Sequence, residues 1–182
     1  GILQHFRVGG GAGIGAKYLS REDSEVIGLI GSGGMARTFL EAFCGVRSIK
    51  ECRVYSPTNG HKEAFAEEMS AKLGIEVIPV SNPREAIAGA DIVSSATDSM
   101  VPVYDAAWLE PGQHVTNLGR REMPEEAISR FDVVVRQGVA GLQMKQSDIF
   151  QAERGHSPAA FIGGTPEQQH VIPAKNPSPG SG

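Results

Sequence analysis

Short apolar runs alternate along the chain with segments whose apolar residues recur at helical spacing. The first run is Val26–Ile30, Val-Ile-Gly-Leu-Ile, apolar on both sides of its alternation. Such a run suits a strand covered on both faces, as in a parallel sheet. Arg37–Cys44 follows, with Phe39, Leu40 and Phe43 on one face of a helix. Glu51–Ser56 reads as a second strand, closed by Pro57, which has no N–H to donate. His61–Leu73 places Phe65, Met69 and Leu73 at i, i+4, i+8, and Gly74 is its stop. Ile75–Val80 is a third strand. Ser81–Gly89 is a short helix with Ser81 or Asn82 as cap and Pro83 early in its first turn. Asp91–Ala96, Gln113–Leu118 and Asp132–Arg136 read as strands four to six, with a helical turn at Tyr104–Leu109 and a short helix at Glu125–Arg130. Ahead of all this, Gly1–Leu19 reads as a helix laced with Gly9, Gly10, Gly11, Gly13 and Gly15. Each glycine costs about 1 kcal/mol relative to alanine. Either the segment is partly irregular or its small residues let another element approach closely. Ser20–Ser24 is a polar connector.

Strands alternating with helices predict an α/β fold, a doubly wound Rossmann-type parallel sheet with helices on both faces. Ligands of such sheets lie outside the carboxyl ends of the strands. That singles out the loops Gly31–Met35, Ser56–Gly60, Ala96–Pro102 and Leu118–Met123. In the first of them, Gly31, Gly33 and Ala36 match G-x-G-x-x-A, directly between a strand and a helix. Gly31 allows the tight turn, Gly33 lets backbone approach a pyrophosphate, and Ala36 keeps the helix against the sheet. The N–H groups that open the helix, aided by its dipole, would face the phosphates.

Composition adds bounds. The chain has 182 residues, 40% of them apolar, which suffices for one domain with a core. Its 23 glycines make a G-x-G-x-x-A match cheap, so the flanking strand and helix carry the assignment. A net charge of −4 gives no reason to expect a nucleic-acid or membrane-surface partner. Cys44 and Cys52 lack metal or CxxC spacing and read as reduced thiols of a cytoplasmic protein, with a disulfide as the alternative. No metal site is expected. No run approaches the ~20 apolar residues of a membrane span, and the N-terminus lacks a signal pattern. Without an initiator Met, the chain is expected to be processed or excised from something longer. Glu153–Gly182 is rich in Gly, Pro, Ser and Gln, and its last eight residues read as a tail or linker.

The second loop bears on which nucleotide binds. NAD binders usually carry Asp or Glu roughly 20 residues after the glycines, on the ribose 2′-hydroxyl. Here that place holds Ser56, Pro57, Thr58 and Asn59, and no carboxylate occurs before Glu63. Hydroxyls and an amide tolerate a 2′-phosphate, with His61 or Lys62 nearby, so NADP(H) is expected over NAD(H).

Arg7–Leu19, Ile27–Ala36 (IGLIGSGGMA), Val54–Ala66 (VYSPTNGHKEAFA), Ala90–Pro102 (ADIVSSATDSMVP) and Trp108–Gly119 (WLEPGQHVTNLG) occur in this order over roughly residues 5–137. In them the chain resembles the ornithine cyclodeaminase/mu-crystallin family. Members have a Rossmann domain for NAD(P) and a second domain, built from both chain ends, for substrate and dimerisation. The resemblance implies that residues 1–150 form the NAD(P)-binding Rossmann domain with a leading helix, and that the N-terminal substrate segment is missing. Residues 151–182 would be a Gly/Pro-rich segment, partly disordered or a remnant of the second domain. Gly31, Ser32, Gly33, Gly34, Met35 and Ala36 match the pyrophosphate loop. Ser56, Pro57 and Thr58 match the adenosine-ribose loop. Ala96, Thr97 and Asp98 match the loop near the cofactor after strand four. Arg7 matches an arginine that helps hold the substrate carboxylate, a task that suits a guanidinium fork.

One departure bears on activity. Cyclodeaminases carry Gly-x-Asp after the fifth strand, where this chain has Gly119-Arg-Arg-Glu-Met-Pro124. Arginine stays protonated and cannot replace that acid. Glu122 could serve only if the loop were rearranged, and a solvated Arg-Arg-Glu run is the plainer alternative. The catalytic residues therefore stay unassigned, as do roles for Arg154 and His156. The expected function is an NADP(H)-dependent oxidoreductase of ketimine reductase or amino-acid dehydrogenase type. Its partner would be a small amino or imino acid, and the full-length form a homodimer. The alternatives are a non-catalytic NAD(P)-binding module and a cyclodeaminase with a displaced acid. The isolated chain is expected to be inactive.

Overall fold

The computed structural model describes residues 2–119, 121–136 and 170–173. Five parallel strands form one sheet: β1 (Val26–Ile30), β2 (Glu51–Tyr55), β3 (Glu76–Pro79), β4 (Ile92–Ser95) and β5 (His114–Asn117), in the order β3-β2-β1-β4-β5. The order reverses at β1, so β1 and β4 flank the crevice where such sheets take ligands. The helices are α1 (Ile2–Leu19), α2 (Gly34–Val46), α3 (His61–Leu73) and α4 (Pro83–Ile87). The doubly wound Rossmann-type arrangement expected from the pattern is the one observed.

β1 shows why the sheet is covered twice. Ile27 and Leu29 point into a core built with Phe39, Leu40 and Phe43 of α2 and Phe65 and Met69 of α3. Ile30 points the other way, to Ile87, Val93, Tyr104, Leu109 and Ala127. That second face is closed by α4 and by two 3-10 turns, Ala106–Trp108 and Glu125–Arg130. Gly28 lies under α4, where an added Cβ would collide with the Ala86 carbonyl oxygen. The central strand thus needs a glycine for the helix to sit down.

The glycine-laced leader is a continuous helix, and two of its glycines explain why. An added Cβ would stand 2.8 Å from Thr38 Cβ at Gly9 and 2.9 Å from Ala42 Cβ at Gly13. α1 therefore lies backbone to backbone on α2, with Ala12 and Ala16 buried between them. Its C-terminal carbonyls are satisfied by Arg47, which donates to the oxygens of Ala16, Lys17 and Ser20. Asn82 caps α4 by accepting from Glu85 N–H at 3.0 Å, with Pro83 as first residue. Gly74 ends α3 in the left-handed region at φ +67°. Cys44 is half-buried and Cys52 buried, both as free thiols whose pKa burial raises.

The sixth expected strand forms but does not extend the sheet. β6 (Val133–Arg136) pairs antiparallel with β7 (His170–Pro173) in a separate two-stranded sheet. The pairing partner lies more than thirty residues on, beyond reach of a local pattern. The expectations for residues 137–150 and for the rest of 151–182, including Arg154, His156 and the tail, lie outside the described residues.

Candidate functional site

Four loops meet at the carboxyl ends of the strands. The first follows β1. Gly31 has φ +106°, and its N–H donates to the Tyr55 carbonyl at 2.8 Å, tying the turn to the end of β2. An added Cβ there would stand 2.5 Å from the Ala96 oxygen and 3.1 Å from the Thr97 methyl. Gly31 thus serves the turn and also the contact between the loops after β1 and β4. Ser32 is buried. Gly33 caps α2 with no side-chain bond, and an added Cβ would meet nothing within 4 Å. Gly34 is exposed and opens α2, with the His5 ring of α1 standing where a side chain would go. Met35 is half-buried against the core, and Ala36 is fully buried. The first turn of α2 has no acidic residue. The space where a Gly33 Cβ would stand is open, next to the N–H groups that begin the helix, an arrangement suited to an anion.

Arg37, which no motif in the sequence marks, braces this turn. Its guanidinium donates to the carbonyls of Ser32 and Gly33 at 2.9 and 3.1 Å. It also forks onto Glu68 of α3, Nη2 to Oε2 at 2.6 Å, and lies over the Phe65 ring. That hydrogen-bonded pairing holds the exposed Glu68 carboxyl below its ordinary pKa. Arg37 is thereby spent on structure.

The second loop begins with buried Ser56 and continues through exposed Pro57, Thr58 and Asn59 to Gly60, at φ +76°. No carboxylate lies between Tyr55 and the start of α3. Lys62 does not face this loop freely: its ammonium donates to the Val80 carbonyl at 2.7 Å, and it lies over Tyr55.

The third and fourth loops are joined by Glu122. It is fully buried, so this glutamate is not the solvated residue of the plainer alternative. One carboxylate oxygen accepts from Thr97 N–H at 2.6 Å and Thr97 Oγ1–H at 2.5 Å. The other accepts from Gly119 N–H at 2.5 Å. Glu122's own carbonyl takes Val103 N–H at 2.9 Å. Burial pushes its pKa up, against the lowering effect of these hydrogen bonds. With both oxygens engaged, Glu122 is not placed as the free base that a displaced cyclodeaminase acid requires. Thr97 Oγ1 also accepts from Ser99 N–H at 3.0 Å, so its only hydroxyl proton is committed to Glu122 and one of its lone pairs to Ser99. Ala96 is buried and Asp98 exposed. Beneath them, Asn117 Oδ1 accepts from Ser95 Oγ–H at 2.8 Å and Tyr104 O–H at 2.9 Å. Burial raises the Tyr104 phenol pKa.

The structure thus brings Gly31–Ala36 and Ala96–Asp98 into direct contact, with Ser56–Thr58 at the adjoining strand end. Arg7 stands exposed on α1, two residues from His5. Among the described residues no group of three or more His, Cys, Asp or Glu could hold a metal. None of the described helices is long and apolar enough to cross a membrane.

The family model of the ornithine cyclodeaminase/mu-crystallin family matches residues 1–153. The chain belongs to that family. A provisionally named dehydrogenase of Rhizobium meliloti is 42% identical over 139 residues, which are 74% of this chain and 42% of that protein. Δ1-Pyrroline-2-carboxylate reductase of Bacillus cereus is 32% identical over 138 residues, 73% of this chain and 42% of that protein. Among solved structures, Δ1-pyrroline-2-carboxylate reductase of Thermococcus litoralis, in complex with NADH and L-proline, has a TM-score of 0.69 at 32% identity. That match covers 87% of this chain and 53% of the other. The chain therefore spans about half or less of the length of these family members.

Proposed function

We propose that this chain is the dinucleotide-binding module of an NADP(H)-dependent oxidoreductase acting on a small imino or amino acid, of ketimine reductase or amino-acid dehydrogenase type. The observation that carries the reading is the Gly31 turn, packed on Ala96 and Thr97 and leading to a helix N-terminus with open space at Gly33. A pyrophosphate fits where a Cβ is missing and N–H groups are free. When bound, the dinucleotide supplies the hydride.

The chain's residues bind and orient. Gly31, Ser32, Gly33, Gly34, Met35 and Ala36 form the cradle for the pyrophosphate. Ser56, Pro57 and Thr58 flank the adenosine ribose, and with no carboxylate in that loop a 2′-phosphate meets no like charge. Ala96, Thr97 and Asp98 form the floor beside the nicotinamide, with the Thr97 hydroxyl proton already donated to Glu122. Arg7 is the anchor for a substrate carboxylate. The named substrate chemistry of the pyrroline-carboxylate reductases, and the NADH and L-proline of the Thermococcus complex, support this class. The reading extends to a homodimer of the longer protein, which would cover Leu3, Phe6, Ile14 and Tyr18, apolar residues now exposed on α1. It places that protein in the cytoplasm, where the free thiols Cys44 and Cys52 fit.

The test is two assays on this chain: calorimetric titration with NADPH and NADH, then NADPH oxidation with Δ1-pyrroline-2-carboxylate. Tighter NADPH binding without turnover is the expected result, since the chain spans 42% of the Bacillus reductase. Tighter NADH binding would refute the 2′-phosphate reading. Binding of neither would contradict the module itself, and turnover would contradict its dependence on the remaining polypeptide.

A further inference from the structure

Glu122 is a buried acid, and both of its oxygens are committed. They hold Thr97, in the loop after β4, and Gly119, in the loop after β5. Thr97 in turn rests its methyl on the fingerprint: an added Cβ at Gly31 would be 3.1 Å from Thr97 Cγ2 and 2.5 Å from the Ala96 oxygen. A continuous path of contact therefore runs from Gly119 through Glu122 and Thr97 to Gly31. It crosses the crevice between β1 and β4, where the strand order reverses. The adenosine loop, Ser56–Thr58, lies at the end of β2 and makes no part of this path.

We infer that Glu122 is a positioning residue: its carboxylate ties the loops after β4 and β5 together and so sets the floor of the nicotinamide half of the cleft, leaving the adenosine half untouched. The inference rests on the dinucleotide reading above and deepens it. The physical reason lies in the partners. Three donors converge on one carboxylate, and nothing neutral of the same shape offers two acceptor oxygens. A glutamine would turn an N–H toward Thr97 or Gly119 and leave a buried donor facing a donor. The selectivity follows from the span of the carboxylate, which takes donors from both loops at once.

The experiment compares the 182-residue chain with Glu122→Gln, using two probes by calorimetry: NADPH, and 2′,5′-ADP, which carries the adenosine half alone. A loss of about tenfold or more in NADPH affinity is expected from one broken charge-assisted bond, with 2′,5′-ADP affinity unchanged within about twofold. Amide NMR gives a second reading that needs no ligand. The Thr97 and Gly119 amides of the parent chain should titrate together on acidification, and Glu122→Gln should abolish that shared titration. Thr97→Val keeps the methyl and the N–H but removes the hydroxyl, so it should give a smaller loss in the same direction. Equal loss of both probes in Glu122→Gln would mean a general structural role and overturn the inference. Unchanged NADPH affinity would overturn it as well, as would independent titration of the two amides. A parent chain that binds 2′,5′-ADP but gains nothing from the nicotinamide half would also overturn it. A parent chain that binds neither probe would instead overturn the dinucleotide reading, and this inference with it.

Discussion

Replacing Gly33 by alanine separates what a ligand requires of the turn from what the fold requires. Gly33 has φ −81° and ψ −171°, a conformation open to any residue, and an added Cβ meets nothing within 4 Å. Alanine is a poorer N-cap by up to about 1 kcal/mol, and the smaller unfolded-state entropy returns about 0.4–1 kcal/mol. The two nearly cancel, so the unfolding free energy should move by no more than about 0.5 kcal/mol. Binding should behave otherwise. A methyl at Gly33 occupies the space in which a pyrophosphate would meet the N–H groups of α2. Losing one charge-assisted bond costs about 1.5–3 kcal/mol, or roughly ten- to a hundredfold in affinity. Gly31→Ala is the contrast. There φ is +106° and the Ala96 oxygen lies 2.5 Å from the new Cβ. Strain and overpacking together should cost about 2–5 kcal/mol of stability. Urea unfolding and NADPH calorimetry on both variants provide the check. If Gly33→Ala bound NADPH as tightly as the parent, no pyrophosphate would lie on this turn. If it unfolded as readily as Gly31→Ala, the account of free space would be wrong.

Three further outcomes follow from particular residues. Thr58→Asp puts a carboxylate into the exposed adenosine loop, and should lower NADPH affinity by roughly tenfold or more while sparing NADH, as parallel titrations would show. Gly28→Ala forces α4 off β1 and should cost about 1–3 kcal/mol in urea unfolding; a neutral result would mean that α4 moves freely. Burial lowers the His114 pKa from 6.5 to about 4, and nearby Arg47 adds to the effect. Because the folded value lies below the unfolded one, its contribution is complete above about pH 6.5 and is lost as the pH falls toward about 4, roughly 3 kcal/mol in all. The stability difference between the parent chain and His114→Gln should therefore shrink on acidification through that window, and a pH-independent difference would contradict the assignment.

Much of this architecture was legible because the signals are local. The strand, turn and helix from Val26 to Val46 occupy consecutive residues, and each glycine of the turn has a reason of its own. The capping of α4 by Asn82 and the stop at Gly74 are equally local. The glycines of α1 posed a choice between an irregular segment and close packing. Only the position of α2, with Thr38 and Ala42 against Gly9 and Gly13, resolves it. What the sequence concealed depends on distant partners. Arg37 finds Glu68 thirty-one residues away. Glu122 follows Arg120 and Arg121 in sequence, yet its donors come from Thr97, twenty-five residues back, and from Gly119. Composition marks such a residue as solvated. Its burial follows from the closure of two loops, which no spacing rule describes. β6 failed to join the main sheet for the same reason, since its partner β7 comes from far along the chain.

The most direct test of the central claim is a map of amide NMR shifts in this chain on addition of NADPH. The account predicts that the largest changes fall on Gly31–Ala36, Ser56–Thr58 and Ala96–Asp98, all at the carboxyl ends of the strands. Changes concentrated elsewhere, at the opposite ends of the strands or on the outer face of α1, would contradict it, as would a spectrum that NADPH leaves unmoved.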